Sequence, residues 1–402
     1  MTKRAIGIWA ALLAGISGAS AQEIDQAKYD AFITSFKAEA MAKGISAEVY
    51  DREMASAKPM QIVVDRNNNQ PEFAQAIWTY LDSAVSDRRI SDGLNNTAAR
   101  AAILDKVEAK YGVDKEIIGA IWGLESSYGA ILGSHDVISA LSTLAYDGRR
   151  QSFGKSQLIG ALTIIQDGYA RRDQLKGSWA GAMGQTQFIP TTYLAFAIDE
   201  NGDGLKDLWA DHEDVFASTA NYLAKSGYKA DQPWGFEVTL PDGFDYSQAS
   251  LRTEKTVSSW HQLGVALPTG SLADKADFNA SASVIVPAGA NGPAFMVLDN
   301  FRAIMKYNNS TSYALGIGRL SDAIAGRGQP LSAEWPRDDR PLSLSERKML
   351  QEVLTAKGYN PGPVDGIIGA GTQAAIRQWQ KDQGVAADGY ASAKTLAAMQ
   401  AG

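Results

Sequence analysis

Ile117-Ile118-Gly119-Ala120-Ile121-Trp122-Gly123-Leu124-Glu125-Ser126-Ser127-Tyr128-Gly129 is the stretch that decides how this chain folds. Asp114 stands where a helix N-cap belongs, and Ile117, Ile118, Ile121, Trp122 and Glu125 then recur on one helical face. A carboxyl carried into apolar surroundings resists ionisation, so its pKa rises and it stays protonated near neutral pH as a general acid. The same pattern also fits a core glutamate paired with a buried arginine. The residues downstream separate the two readings.

Working outward, the helical pattern continues on both sides. Tyr29, Phe32, Ile33, Phe36, Ala40 and Met41 share one face within residues 22 to 58, and residues 74 to 85, 98 to 111 and 156 to 168 show the same style. Residues 229 to 298 differ: Pro233 to Leu240, Ala282 to Val286 and Phe295 to Leu298 read as short strands between Pro, Gly and Asp turns. Asp299 to Met305 starts a helix, and Ser312 to Gly326 closes the body. Residues 327 to 342, rich in Gly, Pro and charge, read as a linker to a small unit at 343 to 402. Within that unit two Asp-Gly turns, Asp365-Gly366 and Asp388-Gly389, each precede a Ser or Thr helix cap, which marks a partial internal repeat.

The ends and the composition set the compartment. Lys3 and Arg4, an apolar run from Ala5 to Gly18 and the small residues Ala19-Ser20-Ala21 read as a cleavable signal peptide over residues 1 to 21. Its loss removes two cations and takes the formal charge from −7 to −9. No cysteine is present, so neither a disulfide framework nor a lipidated cysteine is available. These features fit an exported, periplasmic protein without a membrane span, and the acidic balance gives no support to nucleic-acid binding. The histidines His135, His212 and His261 lack metal spacing, and neither a phosphate-binding glycine loop nor a Gly-x-Ser-x-Gly elbow occurs.

Gly177-Ser178-Trp179-Ala180-Gly181-Ala182-Met183-Gly184-Gln185-Thr186-Gln187-Phe188-Ile189-Pro190 is too glycine-rich and polar for a core helix. Small residues let backbone and ligand approach, the amides and hydroxyl offer hydrogen bonds, and Trp179 and Phe188 offer flat apolar faces, a combination suited to a sugar chain. A tight turn packed through its glycines is the plainer reading.

Together with Gly123 to Gly129, the Asp199 to Trp209 loop, Asn221-Tyr222 and Tyr307-Asn308-Asn309-Ser310, this stretch resembles the lytic murein transglycosylases of the membrane-bound lytic transglycosylase B family over residues 22 to 326. The resemblance implies a mainly α, lysozyme-like catalytic domain with the strand-containing subdomain at 229 to 298. It implies Glu125 as the single catalytic residue, and cleavage of the β-1,4 bond between N-acetylmuramic acid and N-acetylglucosamine without water, leaving a 1,6-anhydromuramyl end. By motif position it implies that Ser178 orients the glutamate and an acetamido group, that Gln187, Tyr222, Asn308 and Tyr80 line the cleft, and that Arg149 and Arg150 contact the peptide stem or glycan backbone. Through Gly358-Tyr359, Pro363-Val364-Asp365-Gly366-Ile367, Gly369, Thr372, Ala375 and Trp379-Gln380, the unit at 343 to 402 resembles a peptidoglycan-binding type 1 domain, a three-helix module. Peptidoglycan strands are then the substrate, with the cell-wall synthesis or division machinery as candidate protein partners.

No cofactor is required by this reading. Asp199, Asn201, Asp203 and Asp207 resemble the ligands of a calcium loop, although its twelfth position is Ala210 where a bidentate glutamate belongs; a metal-free turn of the same shape is the alternative. Two other functions stay open: a hydrolytic muramidase, for which Asp136, Asp147 and Asp173 are the nearest candidate second carboxylates, and a non-catalytic wall-binding scaffold.

Overall fold

The computed structural model describes residues 23–68, 75–268, 273 and 276–401. The proposed signal peptide, residues 1 to 21, lies outside the described residues. Helices dominate the rest, and no described helix is long and apolar enough to cross a membrane.

Helix Lys115–Ser126 forms where the sequence places it, and Ile117, Ile118, Ile121 and Trp122 are all buried. Asp114 occupies the N-cap position, but its side chain makes no capping bond. It is engaged by the Tyr228 hydroxyl instead, and burial raises its pKa. The helix packs with Phe216, Phe301, Tyr313, Leu315 and Leu320 into one core. A second core gathers Phe36, Tyr50, Ile138, Leu158, Leu162, Met183, Phe188 and Tyr193. Tyr222 and Tyr307 pack against both cores, so they mark the seam between two lobes.

The first residues form helices Gln26–Ala42 and Ala47–Met54. Tyr29, Phe36 and Ala40 are buried as the periodicity predicts, whereas Met41, at the end of its helix, is exposed. Helices Asp87–Ala98 and Val137–Tyr146 were not anticipated: the first is buried only at Gly93, and the second is buried on every side and so carries no one-faced pattern. The strand-containing region is a four-stranded antiparallel sheet in the order Gly235–Val238, Ala294–Leu298, Ser281–Ile285, Lys255–Thr256. Phe236, Val238, Val284, Met296 and Trp260 make its separate core. The two-residue strand Lys255–Thr256 was missed because it is too short to alternate.

The segment 327 to 342 is packed against the body. Trp335 lies against Trp78 and Phe295, and Arg337 makes a two-pronged bond to Asp82 at 2.7 and 2.8 Å. Helices Leu344–Ala356, Ala370–Asp382 and Ala393–Ala401 follow around Leu350, Leu354, Ile376, Trp379 and Met399. Here the internal repeat has a side-chain basis. Gln351 accepts from the Gly366 N–H and donates to Asp365, and Gln380 does the same for Gly389 and Asp388, so each Asp-Gly turn is held by a buried glutamine. Ser392 caps its helix through Thr395 N–H. Thr372 does not cap: it lies inside helix Ala370–Asp382 and donates to the Pro361 carbonyl.

Candidate active site

Glu125 sits in the last turn of helix Lys115–Ser126. The chain leaves that helix through two left-handed residues, Ser127 and Tyr128, a turn that lifts it away from the carboxyl. Beneath it, Trp122 is clasped edge-on by Tyr128, His212 and Phe216 at centroid distances of 5.4, 5.5 and 5.0 Å. These contacts fix the helix end that carries the acid. Glu125 is partly exposed near the seam that Tyr307 marks between the two lobes, and its carboxyl is pushed up to about 7 by burial, partly offset by a hydrogen bond from Tyr313. No neighbouring acid contributes to that shift.

Tyr313 Oη donates to Glu125 Oε1 at 2.6 Å. It comes from the first turn of helix Thr311–Ile324, whose N-cap Ser310 accepts from the Tyr313 N–H. Tyr307 stacks on Tyr313 with rings 6.5 Å apart and 12° from parallel, and donates to the Thr186 carbonyl at 2.6 Å. Burial, then the charge of Glu125, raise the pKa of Tyr313, Tyr307 and Tyr80, the last to about 12. Three neutral phenols therefore surround the acid. Sequence reasoning missed Tyr313; the Ser310 cap fixing a lone aromatic in the first turn was the available signal.

The glycine-rich stretch approaches from the other lobe. His135–Asp136 pairs antiparallel with Lys176–Gly177, and Gly177 then bridges to Met183 and Met183 to Phe188. Backbones cross closely enough that a Cβ at Gly133, where φ is +86°, would lie 2.2 Å from the Gly177 carbonyl carbon. Only glycine fits there. Buried Gln185 locks the loop to the acid-bearing helix: its Oε1 accepts from Trp122 Nε1 at 2.7 Å and its Nε2 donates to the Trp209 carbonyl at 2.9 Å.

The remaining predicted residues divide into groups. Ser178 Oγ accepts from the N–H groups of Ala180 and Ala182, so the acceptor side of its hydroxyl serves its own loop, and the hydrogen bond to Glu125 comes from Tyr313. Gln187, at φ +51°, uses Nε2 on the carbonyls of Leu132 and Gly184. Tyr222 packs against Phe188, Phe196 and Tyr307, with its hydroxyl on the Lys306 carbonyl. Asn308 is exposed immediately after helix Asp299–Tyr307. Tyr80 lies near Glu125; Arg149 donates to the Asn67 carbonyl at 2.9 Å, and Arg150 sits 4.3 Å over Phe153, which packs, as Trp179 does, on the small core of Val63, Ala140 and Leu144.

The candidate second carboxylates are all engaged elsewhere. Asp136 pairs with Arg172 at 2.8 Å, Asp147 accepts from Asn67, and Asp173 pairs with Arg171.

The calcium-like loop is closed by its own bonds. Asp199 accepts from the N–H groups of Gly202, Asp203 and Gly204, and Asp207 from those of Trp209 and Ala210. Asp214, unforeseen from the sequence, holds both shoulders through Glu200 N–H and Asp207 N–H at 2.7 Å each. Asn201 Nδ2 donates to Asp203 Oδ2 and Asp211 Oδ2 at 3.3 and 2.8 Å, so an amide N–H donor joins these two carboxylates. Among the described residues, no group of three or more His, Asp or Glu side chains is gathered as metal ligands would be.

Comparison with known proteins agrees with this geometry. Residues 28–322 match the transglycosylase SLT domain, and residues 343–399 match a peptidoglycan binding domain. The membrane-bound lytic murein transglycosylase B of Escherichia coli is 29% identical over 304 residues, which cover 70% of this chain and 81% of that protein. The crystal structure of SltB3 from Pseudomonas aeruginosa in complex with NAG-anhNAM-pentapeptide superposes with a TM-score of 0.87 at 47% identity, covering 92% of this chain and 99% of the other. The Escherichia coli lytic transglycosylase Slt35, solved in complex with calcium, superposes with a TM-score of 0.63 at 27% identity, covering 76% and 95%. With the profile spanning most of its length, this chain belongs to the transglycosylase SLT domain family, as a lytic transglycosylase with a lysozyme-like catalytic fold and a C-terminal peptidoglycan binding domain.

Proposed function

We propose that the protein cleaves the β-1,4 bond between N-acetylmuramic acid and N-acetylglucosamine in peptidoglycan and leaves a 1,6-anhydromuramyl end, with Glu125 as acid and then base. The observation that carries this reading is one partly exposed carboxyl near the seam between the lobes, pushed up to about 7 by burial, to whose shift no acid among the described residues contributes. Protonated Glu125 gives its proton to the glycosidic oxygen as the C1–O bond breaks. The resulting carboxylate takes the proton of the muramyl C6 hydroxyl as that oxygen bonds to C1. The proton count closes, the glutamate is reset, and no water is consumed. Tyr313 donates to the ionised form and so steadies the second half of the cycle.

A retaining hydrolase of the two-carboxylate kind needs its acids about 5 Å apart. Asp136, Asp147 and Asp173 are bound to Arg172, Asn67 and Arg171, which favours the anhydro reading. Mass spectrometry of the soluble products from purified peptidoglycan tests it: anhydromuropeptides are expected from the wild type and none from Glu125→Gln. Reducing-end products would overturn it.

The cleft lining is assigned to Ser178, Gln187, Tyr222, Asn308 and Tyr80, with Arg149 and Arg150 further out. Ser178 keeps its hydroxyl hydrogen for a ligand while its oxygen accepts from the loop. The loop of Asp199, Asn201, Asp203 and Asp207 is proposed as a structural calcium site, with neighbouring Asp211 in place of the missing twelfth-position glutamate, against the alternative of the metal-free turn its own bonds already close; its part is stability, not chemistry. Export to the periplasm through residues 1 to 21 places the enzyme where its polymer is. Tethering by residues 343 to 402 raises the local concentration of glycan at the cleft.

A further inference from the structure

Where the C-terminal module meets the body, a cavity of about 440 Å³ opens, within the range that small ligands occupy. The module contributes Arg347, Arg377 and Tyr390 to its lining, and the body contributes Ile77 and Ser312. The junction is well tied. Asp388 Oδ2 accepts the Ala290 N–H at 2.7 Å, and Tyr390 packs with Trp78 and Ala288.

Among the described residues neither guanidinium has a carboxylate partner. The acids at this junction are committed: Glu346 to Arg340 and the Ser343 N–H, Asp339 to the Lys394 N–H, and Asp388, which also lines the cavity, to Gln380, the Tyr390 N–H and the Ala290 N–H. Arg347 Nε is buried and makes no hydrogen bond. A buried donor without an acceptor is destabilising, and a ligand that brings the acceptor removes that cost. Forked guanidiniums match carboxylates in geometry as well as in charge. Helix Thr311–Ile324 also opens onto the cavity through Ser312 in its first turn, adding the positive end of its dipole.

The cavity shares two elements with the catalytic cleft. Ser312 precedes Tyr313, which bonds Glu125, and Ile77 lies one turn before Tyr80 on helix Ile77–Ala84. The glycan of peptidoglycan is uncharged along its sugars; its carboxylates are on the peptide stems that leave the muramyl units. A stem of four or so residues reaches roughly 13 Å when extended.

We propose that this cavity is a carboxylate subsite, in which Arg347 and Arg377 hold the peptide stem of the strand whose glycan lies over Glu125. The proposal rests on the peptidoglycan reading of the cleft. It makes the C-terminal module part of substrate selection at the active site as well as a tether.

The test uses the full-length protein on glycan strands that carry their stems and on the same strands stripped by an amidase. The wild type is expected to show KM about tenfold lower for stem-bearing strands, the worth of one retained charge-assisted hydrogen bond. In the double variant Arg347→Gln, Arg377→Gln that ratio falls to about one. A wild type without the preference, a variant that keeps it, or a variant slowed equally on both strands would overturn the proposal. If the wild type cleaves neither strand, the catalytic reading fails instead. Calorimetric binding of a muramyl tripeptide and its fully amidated form then decides the subsite alone: about tenfold tighter binding of the free acid by the wild type supports it, and equal binding refutes it.

Discussion

Glu125→Gln should stabilise the fold at alkaline pH and leave it almost unchanged in acid. The substitution keeps the shape of the protonated acid, and the amide carbonyl still accepts from Tyr313. Glu125 titrates at about 7 in the fold against a reference of 4.5. Below the lower value the carboxyl is protonated in both folded and unfolded chains and contributes no pH-dependent difference. Between the two values the unfolded chain has released its proton while the folded one retains it, so stability falls as pH rises. Above about 7 both are ionised, and the fold carries the whole cost of a desolvated charge. At about 1.4 kcal/mol per unit this is roughly 3 kcal/mol, an upper figure because the residue is partly exposed and water screens it. Urea unfolding of wild type and variant at about pH 4.5 and about pH 9 measures it, and titrations common to both proteins, such as those of Asp214 and Asp322, cancel in the comparison. A stability difference that is the same at both pH values would show that Glu125 ionises as an ordinary surface carboxyl, and the argument for a resident general acid would fall.

Tyr313→Phe removes the bond that favours the ionised glutamate, so the alkaline limb of the kcat profile should move upward in pH while kcat falls by roughly tenfold; an unmoved limb would remove Tyr313 from the site. Gln185→Leu leaves Trp122 Nε1 and the Trp209 carbonyl without their partner, and thermal or urea unfolding should register a loss of about 2–4 kcal/mol. Calcium at about a hundred times its dissociation constant should stabilise the wild type by roughly 2.7 kcal/mol, seen as a rise of a few degrees in Tm over a chelated sample, and the rise should vanish in Asp199→Ala. An equal Tm with and without calcium would leave the loop as a self-closed turn.

What the sequence made legible was local. Helix Lys115–Ser126 could be read because four apolar side chains and one acid follow each other on a single face. The Asp-Gly turns of the C-terminal module could be read from two adjacent residues, but the glutamines that hold them, Gln351 and Gln380, stand 15 and 9 positions from the glycines they bond. Asp114 was legible as a position and not as an interaction, since its partner Tyr228 comes from another part of the chain. The hydroxyl that bonds Glu125 is 188 residues away in sequence. No periodicity encodes a contact of that kind; it exists only because Ser310 starts a helix at the seam between two cores. The surroundings of the acid, which set its pKa, were therefore the least readable part of the site.

The central claim is that the muramyl C6 hydroxyl, and not water, attacks C1. Digestion of purified peptidoglycan in water enriched in oxygen-18, followed by mass spectrometry of the released muropeptides, tests it most directly. Anhydro ends that carry no label are expected. Reducing ends labelled at C1 would contradict it and assign the chemistry to a hydrolase.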